Sequence, residues 1–411
     1  MSHGFRFAPP SSPDVLGVPP RGRAARFRRL RYATFTLAAF CVETALIGCP
    51  AGTQAEAPVV LGLIAYNSDK EGAPFGPSMV QAARLAAEEV NRSGGLAVRG
   101  SKRYVKLAVE SPAATPEAAV AAAHHLINQE NVVAIVGPHW SREALPVADI
   151  AERARVPLIT TGSTHPKTTE GKQYVFRIPF TDALQGRVLA TFARRELKAE
   201  SAAVLHDASD PYTTELARIF MQAFAAIGGR LVGEETYTPD ARTDFAAQLR
   251  RIHAHRPRVL LLPNRTDDSV TQVRQARAIG IDATILGSDM WRTEEVTAEL
   301  EGAFFTRPER FNESKFASLS AAFGRVYETA PGVEAVETYD AFGLIFAAIR
   351  YTGDTTAEAI KQGLYAMGPY QGVTGLIDYV RDGSPARSVV IFQVHDVRAV
   401  WREELSGDPR P

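Results

Sequence analysis

Hydroxyl side chains follow two short apolar runs that are neighbours along the chain. The runs Val132–Val136 and Pro157–Thr160 are followed by turns that carry Ser141 and the pair Ser163–Thr164. The first turn leads into a segment with apolar residues at helical spacing, so Ser141 is predicted to begin a helix. Free backbone N–H groups at such a helix start, together with hydroxyls, attract a carboxylate. Because no catalytic base accompanies them, the pattern predicts a binding site for a small anion.

These hydroxyls also have a purely structural interpretation, because serine and threonine commonly cap helices and close turns. The binding interpretation is favoured because both turns would follow adjacent strands of one sheet. His139, Trp140 and His165 lie in or beside the same turns and are candidate ligand contacts. None of the nine histidines pairs with another at the i, i+4 spacing of helical metal sites, so no metal site is predicted.

Later turns are predicted to face the corresponding edge of a second sheet. One turn places Tyr212 at the start of a helix, and another carries Asp289 and Trp291. A carboxylate at Asp289 is suited to an ammonium group, and Trp291 is suited to wall the pocket. The alternative for Asp289 is an N-cap of a helix over Glu294–Leu300.

Motifs for catalysis or for a cofactor are missing from the sequence. The turn after the first apolar run, Tyr66–Gly76, has neither the dinucleotide-binding nor the P-loop glycine pattern, and no G-x-S-x-G motif occurs. No cysteine follows Cys49, which excludes a disulfide framework or a thiolate metal site in the body of the chain. We therefore predict neither an enzyme nor a bound cofactor.

Strand-like and helix-like segments alternate from Val59 onward, and they must position these residues. The apolar, often β-branched runs are Val59–Ala65, Tyr104–Val109, Val132–Val136, Pro157–Thr160, Ala202–His206, Arg230–Tyr237, Val259–Leu262 and Ile285–Leu286. Such alternation is typical of an α/β protein with parallel sheets covered by helices on both faces. There are too many units for one sheet, so two sheets are predicted.

A break between the two sets of units is predicted at Thr181–Asp182, where Asp182 is suited to cap the next helix. The second set extends to about Thr306. Two long amphipathic helices follow over Phe311–Ala330 and Glu334–Tyr351, without an intervening strand. A chain that crosses between lobes more than once would leave short hinge strands instead of one flexible linker.

Charge is unevenly distributed along the 411 residues. Lysine plus arginine and aspartate plus glutamate each total 46, but residues 1–49 hold seven arginines against Asp14 and Glu43. The remainder therefore has 39 basic and 44 acidic residues, a formal charge of −5. A mildly acidic body without a basic stripe argues against binding to nucleic acid.

The N-terminal segment is predicted to be an export signal. Arginines between Arg21 and Arg31 precede the mostly apolar stretch Tyr32–Gly48, and Leu46–Cys49 resembles the bacterial lipobox, in which the cysteine is lipidated. The alternatives are a plain signal peptide cut near Ala55 and a retained membrane anchor. The long leader also suggests a true start codon further downstream.

The chain resembles the type I periplasmic solute-binding proteins of the leucine/isoleucine/valine-binding class. The resemblance covers about Val59–Trp401 and depends on the order and spacing of several short segments. They are Phe75-Gly76, Asn91–Gly95, Gly137–Ser141 with Pro146, Val156–Ile159, Gly162–Pro166, Tyr174–Arg177 with Asp182 and Gln185, Asp244-Phe245, Tyr339–Ala341 and Gln371–Gly375.

The resemblance implies an α/β fold of two Rossmann-like lobes with parallel sheets, joined by a three-strand hinge that closes on a ligand. It assigns the ligand carboxylate to Ser141 and Thr164, and Ser163, next to Thr164, is a further candidate ligand contact. It assigns the ammonium group to the backbone carbonyl of Gly162 and to Asp289, and it places Phe75 and Tyr212 over the ligand. The chain departs from the family's usual residues at Thr213, at Glu110–Pro112, at Pro138–Glu143 and at Asp289. Together these departures argue against simple leucine or valine specificity, so another small carboxylate or an amide stays open.

The implied domain organisation has a leader and tether, two lobes and a tail: 1–57; 58–181 with 307–378; 182–306 with 379–403; and 404–411. The implied function is that of the extracytoplasmic binding component of an ABC importer, tethered to the membrane through Cys49. Its expected partners are a small ligand, most simply an amino acid, and membrane permease subunits, and we expect a monomer. The alternative is a sensor that passes its ligand state to a signalling partner.

Overall fold

The computed structural model describes residues 57–67, 75–238, 244–308, 311–379 and 382–406. The predicted leader and Cys49 lie outside these residues. None of the helices within the described ranges combines the length and the hydropathy that crossing a membrane requires.

Five parallel strands in the order β4-β1-β5-β6-β7 form the first sheet. They are β1 (Val59–Ile64), β4 (Val105–Glu110), β5 (Ile135–Val136), β6 (Leu158–Thr160) and β7 (Val175–Arg177). Helices α1 (Gly76–Arg92), α2 (Pro116–Asn128) and α3 (Ser141–Ala154) connect them, and β2 (Leu96–Val98) and β3 (Ser101–Arg103) form a small hairpin. Most residues of β1 are buried, as expected for a strand with helices on both faces.

The second sheet has seven strands in the order β16-β15-β12-β11-β10-β8-β9. They are β8 (Ser201–Asp207), β9 (Arg230–Tyr237), β10 (Val259–Leu261), β11 (Thr284–Leu286), β12 (Phe304–Arg307), β15 (Ser388–His395) and β16 (Arg398–Ser406). The helices between its strands are α4 (Asp182–Arg195), α5 (Pro211–Ala226), α6 (Ala246–Ala254) and α7 (Thr266–Ala278). β8 to β12 are parallel, whereas β15 and β16 form an antiparallel hairpin at one edge.

The chain crosses between the two sheets three times. It leaves the first sheet after β7 and leaves the second sheet after β12. It then forms α8 (Glu313–Tyr327), α9 (Val333–Thr352) and α10 (Ala357–Ala366), and α9 and α10 pack into the core around the first sheet. The small hairpin of β13 (Tyr370–Gly372) and β14 (Gly375–Ile377) precedes the return to β15. The predicted two-sheet α/β fold is confirmed, and the exact lobe boundaries stay a prediction.

Two local predictions were wrong. Thr181, and not Asp182, caps α4, because its side chain accepts the N–H of Leu184 while Asp182 is already the first helical residue. The helix predicted over Glu294–Leu300 is replaced by two single 3₁₀ turns, Thr293–Glu295 and Ala298–Leu300. Asp289 therefore lies outside any helix start and has no capping role.

Candidate functional site

A cleft lies where residues that follow the carboxyl ends of strands in both sheets meet. Its empty volume is about 980 Å³, which includes space open to solvent. Seven of the predicted site residues line it: Phe75, His139, Trp140, Ser141, Gly162, Tyr212 and Asp289. Ser163, Thr164, His165 and Trp291 are not among its lining residues. Small-molecule sites are found at this edge of open α/β sheets.

Ser141 begins α3 as predicted, and its hydroxyl lies at the cleft wall. Ser141 is buried, with 4 % of its surface exposed. Ser163 Oγ donates a hydrogen bond to Ser141 Oγ over 3.1 Å. Since Ser141 is the acceptor in that bond, its own hydroxyl proton stays available for an acceptor in the cleft. The hydroxyl pair therefore leaves one donor available at the cleft wall.

Tyr66 uses part of the backbone that was predicted to hold an anion. Its hydroxyl oxygen accepts the N–H groups of His139 over 3.1 Å and of Trp140 over 2.9 Å. Burial, followed by the nearby charge of Glu143, raises the pKa of Tyr66 well above its usual range, so the phenol stays protonated. This role of Tyr66 was not predicted from the sequence, although Tyr66 follows β1 at the same edge of the sheet.

Ser163 and Thr164 lie behind the cleft wall, so their predicted direct contact with a ligand stays a prediction. The Ser163 hydroxyl is engaged with Ser141 and also shares a 2.8 Å hydrogen bond with Thr168. The Thr164 hydroxyl faces the buried carboxylate of Asp182, and both residues are at most 1 % exposed. These hydroxyls therefore orient the site from behind.

Gly162 lines the cleft, and its lack of a side chain leaves room for the imidazole ring of His139. A Cβ at this position would lie 2.2–2.5 Å from the imidazole atoms of His139. The His139 ring packs at 5.0 Å from Phe75, and its Nδ1 lies 3.1 Å from the Thr161 hydroxyl. Burial and the charges of Arg292 and Arg307 lower the pKa of His139 to about 3, so the ring is neutral.

His165 and Trp291 are corrections to the predicted pocket. His165 Nδ1 accepts the N–H of Lys167 over 3.2 Å, which makes it the cap of a 3₁₀ turn. Trp291 is fully buried in the core around the second sheet, where its Nε1 donates to Ser269 Oγ over 3.0 Å. The indole packs directly under Gly287, which accommodates it by lacking a Cβ.

Asp289 is held in place by side chains from α4 and α5. Gln185 Nε2 donates to Asp289 Oδ1 over 2.8 Å, and the Tyr212 hydroxyl donates to the same oxygen. Gln185 also donates to Thr306 Oγ1 over 2.7 Å. Burial raises the pKa of Asp289, whereas the donated hydrogen bonds and Arg307 oppose that rise. The carboxylate is thus fixed at the cleft wall.

Aromatic rings of the first half meet arginines of the second half across the cleft. Trp140 stacks on Tyr66 with centroids 5.2 Å apart and meets Phe75 edge-on at 5.4 Å. The guanidinium of Arg265 lies 5.9 Å from the Trp140 ring, and that of Arg292 lies 5.8 Å from the Phe75 ring. These are cation–π distances. Neither arginine was predicted from the sequence to be a site residue.

Arg177 supports the turn behind Ser141 from inside the protein. It is fully buried, and its guanidinium donates to the carbonyl oxygens of Ser163 (2.8 Å), His165 (2.9 Å) and Pro166 (3.2 Å). It also donates to Thr169 Oγ1 over 2.9 Å. Burial lowers the pKa of Arg177 to about 10. The backbone of the hydroxyl turn is therefore fixed by one side chain from β7.

Comparison with known proteins places this architecture in a family. The family described as periplasmic binding protein matches residues 58–398 of the chain. This chain belongs to the periplasmic binding protein family.

Named relatives of this periplasmic binding protein are binding proteins as well. An amino acid binding protein of Pseudomonas aeruginosa is 31 % identical over 62 % of this chain and 67 % of its own length. A leucine-, isoleucine-, valine-, threonine- and alanine-binding protein of the same organism is 26 % identical over 86 % of this chain and 89 % of its own. A leucine binding protein of Thermotoga maritima superposes with a TM-score of 0.76 at 25 % identity, covering 85 % and 99 % of the two chains.

One exposed group of this periplasmic binding protein has metal-binding residue types, namely Glu301, His395 and Asp396. Glu301 already accepts the backbone N–H groups of Asp396 over 3.2 Å and Val397 over 3.3 Å in the β15–β16 turn. This arrangement closes the hairpin and gives no separate indication of a metal ion.

Asp182 carries a buried carboxylate at the first crossing, and we expect Asp182→Asn to stabilise the protein near neutral pH. Burial raises its pKa well above the usual range; Asp289 and Glu215 also raise it, while the Thr164 hydroxyl and Arg177 lower it. A raised folded-state pKa means that stability is lost as pH rises toward that pKa. Thermal unfolding should therefore show a midpoint a few degrees higher for the variant at neutral pH, with the difference shrinking as the pH falls toward about 4.

The exposed Asp282→Asn variant is the matched control for Asp182→Asn, since it removes a carboxylate from the surface. An Asp182→Asn variant that is less stable than the wild type at neutral pH would show that the charged form is favoured in the folded protein.

Proposed function

We propose that this periplasmic binding protein is the substrate-binding component of an ABC importer and that it holds an amino acid or a similar small carboxylate in the cleft. The proposal rests on one observation: a hydroxyl donor at a helix start and a fixed carboxylate line the same cleft from opposite halves. Ser141 supplies the donor and Asp289 the carboxylate. An α-amino acid carries the complementary pair of charges, a carboxylate and an ammonium group.

The carboxylate and the ammonium group of the ligand would be recognised by different interactions. The carboxylate would accept the Ser141 hydroxyl proton and lie near the positive end of the α3 dipole. The ammonium group would approach Asp289 through Oδ2, because Tyr212 and Gln185 both bond to Oδ1. The backbone carbonyl of Gly162 is the second acceptor proposed for the ammonium group. Closure would bring the lobes 58–181 with 307–378 and 182–306 with 379–403 together around the ligand.

The proposed function also includes a location outside the cytoplasm and a permease partner. The predicted lipobox at Cys49 would tether the protein outside the cytoplasm, on the membrane that holds the permease subunits. A monomer whose two halves close would present a face to the permease that exists only in the liganded state. Neither step requires chemistry at the ligand, in keeping with a binding protein.

The test is calorimetry of the refolded, ligand-stripped protein with amino acids and small carboxylates. For the best ligand found, we expect Ser141→Ala to weaken binding about tenfold or more, because a hydrogen bond to a charged group is lost. Ser318→Ala on α8 is the control, since its exposed hydroxyl bonds only within that helix. If Ser141→Ala binds the ligand as tightly as the wild type, the carboxylate is not held at α3.

A further inference from the structure

The described part of the cleft wall carries an excess of negative charge. Six of its described lining residues are aspartate or glutamate, and three are arginine. His139 adds no charge, because its pKa is lowered to about 3 by burial and by the arginines. The wall therefore has three more negative than positive side chains. One ammonium group, held at Asp289 under the proposed function, would offset only part of this excess.

Glu334 brings a carboxylate to the cleft from the first turn of α9. The residue is 6 % exposed and lines the cleft. Its Oε2 is buried and has no hydrogen-bond partner among the described residues, while its Oε1 lies 3.5 Å from Arg292 Nη1. A buried carboxylate that lacks partners is costly unless something compensates it. The α9 dipole compensates it in part, since Glu334 lies at the positive end of the helix.

Arg292 cannot neutralise Glu334 alone, because three carboxylates share it. Arg292 Nε lies 3.0 Å from Glu294 Oε1 and 3.5 Å from Glu295 Oε1. Its Nη1 lies 3.5 Å from Glu334 Oε1, so Glu334 is no closer to Arg292 than the other two carboxylates are. Glu294 and Glu295 are exposed at the rim of the cleft, whereas Glu334 is buried. Burial raises the pKa of Glu334, whereas the charges of Arg292 and Arg307 lower it. Glu334 is therefore a buried carboxylate of the wall that Arg292 compensates only in part.

The adjoining aromatic rings already accept cations. Arg292 lies over Phe75, and Arg265 and Arg142 lie over Trp140 at 5.9 Å and 5.0 Å. Ring faces attract any cation through their quadrupole, and the attraction grows when water is excluded. A wall of carboxylate and ring faces is thus suited to the positively charged end of a ligand.

We propose that Glu334 selects ligands whose far end carries a positive charge, so that the substrates of this protein are basic amino acids or closely similar diamino carboxylates. This inference rests on the proposed function, since Ser141 and Asp289 would hold the α-carboxylate and the α-ammonium group. Glu334 would then pair with the second cation, beside Phe75.

Matched ligand pairs test the proposal by calorimetry on the ligand-stripped full chain. L-Arginine is compared with the neutral L-citrulline, and L-lysine with L-norleucine. We expect the cationic member of each pair to bind about tenfold tighter or more, and Glu334→Gln to remove most of that preference. Glu117→Gln is the matched control, because Glu117 is exposed at the second position of α2, just as Glu334 is the second residue of α9.

Arg292→Gln provides a second, independent measurement that does not depend on how well Glu334→Gln folds. Removal of the competing guanidinium should strengthen binding of L-arginine or L-lysine relative to that of L-citrulline or L-norleucine. A purely structural role of the pair would weaken all four ligands. If the protein binds neutral amino acids as tightly as cationic ones, with Ser141→Ala still weakening them, this inference is overturned and the proposed function stands. If no amino acid or small carboxylate binds, both fail.

Discussion

We expect Arg177→Met to lower the free energy of unfolding of this periplasmic binding protein by about 3 kcal/mol or more. The guanidinium is fully buried and bonds to three backbone carbonyls, those of Ser163, His165 and Pro166. Methionine fills a similar length but donates nothing, so these carbonyls would lose charged hydrogen bonds inside the protein. Urea denaturation followed by circular dichroism measures the change.

Arg177→Lys should recover little of the lost stability, because one ammonium group cannot reach the same set of acceptors as the planar guanidinium fork. Arg153→Met is the control, since Arg153 is exposed on α3. Ligand binding should also weaken in Arg177→Met, because the turn that positions Ser163 behind Ser141 is no longer fixed. An unfolding free energy within about 0.5 kcal/mol of the wild type would show that water replaces the guanidinium at these carbonyls.

The second large effect is expected on ligand affinity when Asp289 is replaced. Asp289→Ala should weaken binding of an amino acid by about 30-fold or more, since the carboxylate proposed to pair with its ammonium group is removed. The variant also leaves the Tyr212 hydroxyl and the Gln185 amide without their shared acceptor. Calorimetry with the ligand identified for the wild type measures the loss.

Asp289→Asn separates charge from hydrogen bonding, because the amide oxygen still accepts the bonds from Tyr212 and Gln185. We expect it to bind more weakly than the wild type and more tightly than Asp289→Ala. Asp282→Ala, which removes an exposed carboxylate shortly before β11, should bind normally. Equal affinity of the wild type and Asp289→Ala would place the ammonium group elsewhere and contradict the proposed orientation.

The parts of the site that the sequence predicted depend on local patterns. The apolar spacing after Ser141 marked the start of α3 correctly, since helix periodicity and strand–helix alternation are visible over ten to fifteen residues. Parallel strands place their carboxyl ends at one edge, so Ser141, Gly162, Tyr212 and Asp289 could be expected to converge. The alternation alone also predicted two sheets.

The parts that were missed depend on the packing of distant segments. Glu334 reaches the cleft only because α9, far along the chain, packs back against the first sheet. Arg177 looked like an ordinary strand residue, and its role depends on the path of the turn above it. Trp291 was wrongly predicted to line the pocket. Its side chain instead packs inward against Phe305, in the core around the second sheet. None of these orientations is encoded in local spacing.

The three tryptophans of the chain occupy three different environments. Trp291 is sealed in a core and Trp401 is about half exposed on β16, whereas Trp140 lines the cleft between Tyr66 and Arg265. Indole emission responds to polarity and to nearby charge, so movement of Arg265 relative to Trp140 changes one fluorophore and leaves the other two constant. If the two halves close on a ligand as proposed, Trp140 is an intrinsic optical reporter of that closure, and ligand titrations can be followed without attaching a dye.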